Sequence, residues 1–402
     1  WIEEKGIDKK ISGFMRKYKK EVSIVGKALC FRIAVSILFA CIMEMCGNYE
    51  YGITVSDFLE GWTKGNAAYY VNIAQNGYAG AMMGGEHISL VFYPLYPWLI
   101  KMLAFMLNDY RLGGILISTV CYAVGCVFFY KITEAEMGDK AAENALLLIS
   151  VFPYAFFFGG IAVEALLFAV VSAFFYYLRK HNWKRVALLG FFACLTGGQG
   201  IILFFSVLAE LLDSEKGILL LKERKWADFG RKIIHPCGIV CTMFIGFVIY
   251  LLINHAVEGN PFQFIYYRNN YWNDGFRLMR DTMIYGGMDE VWASRGFTGI
   301  SLKLLDMLPL VYIVVFYYGR KGKMRCMYMT YLVSVFLQTW LSSSLMNIGQ
   351  NSLYVLPIFM LGGNFISKNE KWKMPVLILS SMLMVVYMTG YFCLYCITLN
   401  AA

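Results

Sequence analysis

The length of the apolar blocks constrains this chain more than any other feature. They recur along its 402 residues in stretches of roughly 17–25, the length an α-helix needs to cross about 30 Å of hydrocarbon. A transmembrane β-barrel would show short alternating segments instead. Only 16% of the residues are charged, against about 25% in soluble domains, and the mean hydropathy is +0.55. The expected fold is all-α: a polytopic integral membrane protein, residues 1–402 forming a single integral domain.

The net charge of +9 is no sign of nucleic acid. The basic residues cluster in short loops beside apolar blocks: KKISGFMRKYKK, RKHNWKR, KERKWADFGRK, GRKGKMR and SKNEKWK. Cytoplasmic loops carry such clusters, which puts the basic N-terminus (1–21) on the cytoplasmic side. That segment also lacks the small-residue pattern of a cleavable signal peptide. Most of the eleven Cys lie in apolar blocks. Cys237/Cys241 and Cys393/Cys396 have helical spacing, but read best as small apolar core residues. His87, His181, His235 and His255 make no zinc pattern.

A first span is expected over 22–47, followed by an external loop over 48–89. A loop of that length is usually functional. Within it, NAAYYVNIAQNGY reads as a short helix from Asn66 to a C-cap at Gly77. Spans follow at 112–132, 143–159 and 161–179. Three glycines in four residues, Gly197, Gly198 and Gly200, cost roughly 1 kcal/mol each in a helix. The passage 184–213 is therefore a hairpin of two short helices with TGGQG at its outward tip. Keeping RKHNWKR inside then requires the 90–108 block to dip in and return. Six plain crossings would put RKHNWKR outside, against the charge pattern. A span at 236–256, a second external segment at 257–298, and spans at 299–318, 326–345, 352–367 and 374–397 complete about 10–12 membrane helices, re-entrant or half-spanning segments included. No internal repeat of the transporter type stands out.

The loop segments carry a resemblance. Lys64 to Tyr78 (KGNAAYYVNIAQNGY) and Phe92 to Pro97 (FYPLYP) resemble the PIG-V-type GPI mannosyltransferases and their bacterial relatives, polytopic glycosyltransferases of the GT-C class. FPYAFFFGGIAVEALLF (152–168), LTGGQGIIL (195–203), GNPFQFIYYRNNYW (259–272) and LYVLP (353–357) follow in the family's order. Each match is weak alone; their order makes them specific. The resemblance implies a GT-C-like fold and transfer of a sugar, mannose-type, from a polyprenyl- or dolichyl-phosphate donor to an acceptor hydroxyl. The acceptor is a lipid, a glycan or a protein, and the site faces the external or lumenal side. With membrane lipids around it, such an enzyme needs no nucleic acid. No DxD-like metal motif occurs, so no metal or cofactor is expected.

Several functional positions depart from the family's pattern. The family's general base, an Asp of the first external loop, falls at Asn66, an amide without a basic lone pair. Gly197 stands where Arg is expected, and Leu353-Tyr354 replaces an Arg-Tyr pair. An active enzyme then needs another carboxylate to take the acceptor's proton. Glu86-His87 and Glu164 are the candidates, followed by Asp57 and Glu60; the ordinary alternative for each is a solvated loop charge. Glu164 interrupts an apolar helix pair, where an ionisable group is costly and often functional. Lys64, Arg268, Arg277 and Arg280 are candidates for the leaving phosphate, or else snorkelling interfacial cations. Tyr69, Trp272 and Tyr354 are donor-binding candidates. Tyr70, Tyr78, Tyr93, Tyr96 and Trp98 could stack on a sugar or form an interfacial aromatic belt. Gln199 is a lone amide at the hairpin tip. Two other readings stay open: a non-catalytic binder of lipid-linked sugar, and a lipid transporter.

Overall fold

A computed structural model describes residues 18–47, 49, 52–272, 308–322, 324–340 and 348–393. The stretch 1–17, Arg277, Arg280 and Cys396 lie outside the described residues. The apolar blocks become helices because only a helix satisfies its own backbone in lipid; among the described residues the sole β pairing is an isolated bridge, Met83 to Glu86. In chain order the helices are α1 (Lys19–Cys46), α2 (Val55–Gly61), α3 (Asn66–Gly80), α4 (Leu95–Leu107), α5 (Tyr110–Met137), α6 (Asp139–Ser150), α7 (Glu164–Arg179), α8 (Trp183–Thr196), α9 (Gln199–Ser214) and α10 (Gly217–Lys222). They continue as α11 (Trp226–Glu258), α12 (Gln263–Tyr271), α13 (Leu308–Lys321), α14 (Cys326–Trp340), α15 (Ile348–Ser352), α16 (Leu356–Lys368) and α17 (Lys373–Phe392).

Among the described residues, four helical stretches are long and apolar enough to cross a membrane: α1, α5, α11 and Glu370–Phe392. The others that pack into the bundle are shorter, and several have a local cause. The expected 143–159 span is not one helix. It stops at Ser150 and resumes as a single 3₁₀ turn over Ala155–Gly159, because Pro153 cannot supply the N–H a continuous helix needs. The 184–213 block breaks at the glycines, as expected. Gly200 lies so close to Ala193 and Cys194 that a Cβ would strike their backbone, and His181 Nε2 sits 3.1 Å from Glu210 Oε1. The start of α8 and the end of α9 therefore meet: the two helices form a hairpin.

The basic loops converge on one end of the bundle. Lys20 pairs with Glu134 (2.6 Å) and Asp139 (2.7 Å), Arg179 with Glu136 (2.7 Å), Arg325 with Glu210 (3.1 Å), Lys232 with Glu215 (3.3 Å) and Lys140 with Glu370 (3.7 Å). The other end of α5 carries Arg111, 3.8 Å from Glu60 of α2. Asp109 caps it, accepting the N–H of Arg111 (2.7 Å) and Leu112 (3.2 Å). The Tyr96 hydroxyl of α4 lies 3.1 Å from the Gly114 carbonyl and 2.7 Å from Ser118 Oγ, while Gly113 lies against Ile100 and Ala104. Thus α4 starts at the depth of Ser118 and climbs back to the Arg111 end. The block dips and returns.

The deepest packing joins α5 to α7, and α6 to α16. Gly125 makes the first possible: a Cβ there would enter the ring of Phe168 and crowd Ala169 Cα at 3.2 Å. Both Phe168 and its neighbour Phe158 are fully buried, with ring centroids 5.2 Å apart. Gly125→Leu should destabilise the protein by about 1–3 kcal/mol, the usual cost of overpacking, read as a lower melting temperature in detergent.

Candidate functional site

The site lies at the end of the bundle remote from the basic loops. From Ser118 to Glu134, α5 rises about 24 Å, so the two ends are well separated. The re-entrant segment is pinned by tyrosine hydroxyls: Tyr78 donates to the Phe92 carbonyl (2.6 Å) and Tyr250 to the Leu90 carbonyl (2.7 Å). Gly77, at φ +69°, turns the chain so that Tyr78 can reach in, a conformation open to glycine at little cost. Tyr93 stacks on Tyr250 with centroids 4.1 Å apart, and Arg268 of α12 lies within electrostatic range of both rings. Ser118 Oγ donates to the Ala162 carbonyl (3.1 Å), which fixes the chain just ahead of Glu164.

Glu164 opens α7. It is partly buried. Tyr70, Tyr96 and Tyr354 are its electrostatic neighbours. Gln199 opens α9 and its Nε2 donates to Tyr354 Oη (2.8 Å); that hydroxyl donates in turn to Asn351 Oδ1 (2.6 Å). Two expected site residues, Gln199 and Tyr354, thus meet although 155 positions separate them in the chain, and Glu164 lies within electrostatic range of Tyr354. The N-terminus of the 16-residue helix α9 is thus tied to Tyr354, and helix N-termini favour anions.

Tyr69 and Trp272 also meet, with centroids 5.5 Å apart and Phe92 between them at 4.9 and 5.7 Å. Other expected residues are engaged elsewhere. Glu86 and His87 belong to a second cluster on the loop. There His87 Nδ1 lies 2.6 Å from Glu258 Oε1, Tyr267 donates to the same oxygen (2.9 Å), and a hydrogen bond to Glu86 pushes the Tyr271 phenol up to about 12. Lys64 is bound to Glu60 at 2.7 Å, one helical turn back, and its carbonyl accepts the Tyr391 hydroxyl (3.0 Å). Asp57 completes a capping box with Thr54, whose hydroxyl and amide hold the carboxyl below the usual range. Asn66 is exposed in the first turn of α3. The sequence reading missed Glu258, Asn351 and Tyr250. Glu258→Ala should lower stability by about 1–3 kcal/mol by stranding His87 and Tyr267, seen as earlier melting and faster hydrogen exchange in the 80–90 loop.

Against known structures the chain superposes on ArnT from Cupriavidus metallidurans bound to undecaprenyl phosphate, with a TM-score of 0.52 and 11% identity over 91% of this chain and 76% of that one. The apo state of the same protein gives a TM-score of 0.51 at 10% identity, with the same coverage. The fold is GT-C-like. No family model and no curated protein matches the chain. At this identity the likeness is one of architecture, and it does not single out the PIG-V-type branch that the motifs suggest.

Proposed function

We propose that this chain is a membrane glycosyltransferase of the GT-C class. It moves a sugar, mannose-type by its motifs, from a polyprenyl phosphate to an acceptor hydroxyl beside Glu164. The observation that carries the proposal is the hydrogen bond of Gln199, at the N-terminus of α9, to Tyr354, with the Glu164 carboxyl in electrostatic range of that tyrosine. A GT-C-like architecture similar to that of a protein bound to undecaprenyl phosphate supports it. The acceptor O–H gives its proton to the Glu164 carboxylate as its oxygen bonds to the anomeric carbon. The bond from that carbon to the lipid phosphate breaks, and the phosphate leaves with the electron pair. Helix N-termini, the Gln199 amide, the tyrosine hydroxyls and the nearby Arg268 supply donors to that charge. Tyr69, Phe92 and Trp272 offer aromatic faces to the sugar or to the first isoprene units.

The test is an assay of reconstituted protein with polyprenyl-phosphate sugars and a panel of lipid and glycan acceptors. Transfer is expected; no binding of any such donor would overturn the reading. Tyr354→Phe keeps the ring and removes the hydroxyl that links Gln199 to Asn351. It should cut kcat/KM by about ten- to a hundredfold, the worth of the two hydrogen bonds lost. The exposed amide of Asn66 favours a second reading, a binder of lipid-linked sugar without transfer, which predicts donor binding with no turnover.

A further inference from the structure

A cleft of about 590 Å³ opens between α1, α5, α6 and the start of α17, at the basic end of the bundle. Its inner walls are apolar or aromatic: Ile24, Ala28, Phe31, Tyr122, Leu146 and Leu147. Its mouth carries Lys19, Lys20, Lys27 and Lys373 against a single acid, Glu143. Lys20 is neutralised by Glu134 and Asp139. Lys19, Lys27 and Lys373 have no ion pair among the described residues; against Glu143 and the second acid at Lys20 they leave a surplus of one positive charge. Behind Phe31, Tyr122 and Ser150 sits Arg32, 2% exposed. Its guanidinium is held by the carbonyls of Ala155 and Ser150 and lies over the Tyr122 ring at 4.4 Å, and its Nε lacks a partner. The field at the closed end is therefore positive as well.

We infer that this cleft is a binding site for an anionic glycerophospholipid, separate from the proposed donor site. The phosphodiester meets the lysines at the mouth, and an acyl chain lies against the apolar wall formed by Ile24, Phe31, Leu146 and Leu147. The apolar walls argue against a soluble anion: a free phosphate would fill the mouth and leave them wet. Lysine clusters beside membrane helices recognise such headgroups, each worth roughly fivefold in affinity.

The intact protein in phosphatidylcholine nanodiscs, titrated with phosphatidylglycerol carrying a spin-labelled acyl chain, provides the test. Saturable immobilisation of the label is expected. In Lys27→Glu/Lys373→Glu the affinity should fall by roughly tenfold or more, and it should not change in Lys101→Glu, a control on α4. Both cleft lysines sit at the surface or partly so, and an unchanged melting curve will verify that the double variant folds. Equal immobilisation of labelled phosphatidylcholine would overturn the inference, as would full competition by inorganic phosphate or an affinity the double variant leaves unmoved. A defect in glycosyl transfer without a change in this binding would strike the proposed function and leave the cleft untouched.

Discussion

Glu164→Gln is expected to lower turnover by a factor on the order of 10²–10⁴, the usual worth of a positioned general base, while donor binding persists. The substitution is nearly isosteric and keeps the first turn of α7 intact. It removes only the group that takes the acceptor's proton, so the loss should fall on kcat rather than KM. Glu86→Gln serves as the comparison: its carboxylate engages Tyr271 on the loop cluster, and turnover should change by less than about tenfold. Asn66→Asp settles where the base resides. Asn66 is exposed one turn ahead of Tyr70 in α3, and with Glu164 as the base an Asp there should not rescue Glu164→Gln. Rescue would move the base to position 66 and leave Glu164 as a structural charge.

The second large effect is expected at Arg32. Arg32→Met retains the length of the side chain and deletes the guanidinium. The carbonyls of Ser150 and Ala155 then lose their donor in a buried setting, and Tyr122 loses a cation over its face. Two charge-assisted hydrogen bonds and a buried cation–π contact outweigh the relief of desolvating a methionine instead of a guanidinium. The net loss should be about 3 kcal/mol. Differential scanning fluorimetry in detergent measures it; a midpoint equal to or above that of the wild type would show that the buried charge is a net cost.

Much of this architecture is legible in the residues, and the failures have causes. The re-entrant hairpin was announced by three glycines in four residues, a density that no ordinary helix tolerates. The basic loops share one end because lysine and arginine were sorted to it all along the chain. Pro153 was just as visible, but a block with enough apolar residues to span hid the break. In the site, Glu164 and Gln199 stood out because a polar group in an apolar run costs free energy unless something uses it. Glu258 was missed because its partner His87 lies 171 positions away, beyond the reach of local pattern. Arg32 needed only the reasoning applied to Glu164: a cation in the middle of a 28-residue apolar helix demands a partner. Lys64 and Asp57 were read toward ligand chemistry although Glu60 at i−4 and Thr54 at i−3 already offered them local partners.

The break at Gly197–Gln199 also bears on how the protein is made. As two helices of 14 and 16 residues, joined at their far ends by His181 and Glu210, it brings the chain back to the end of the bundle it started from. Without the glycines the stretch from Trp183 to Ser214 would be one helix long enough to cross outright, and every later segment would reverse its orientation. The basic loops after it would then lie at the end opposite to those before it, against the sorting of charge along the chain. These few residues therefore set the direction in which the second half of the chain is threaded.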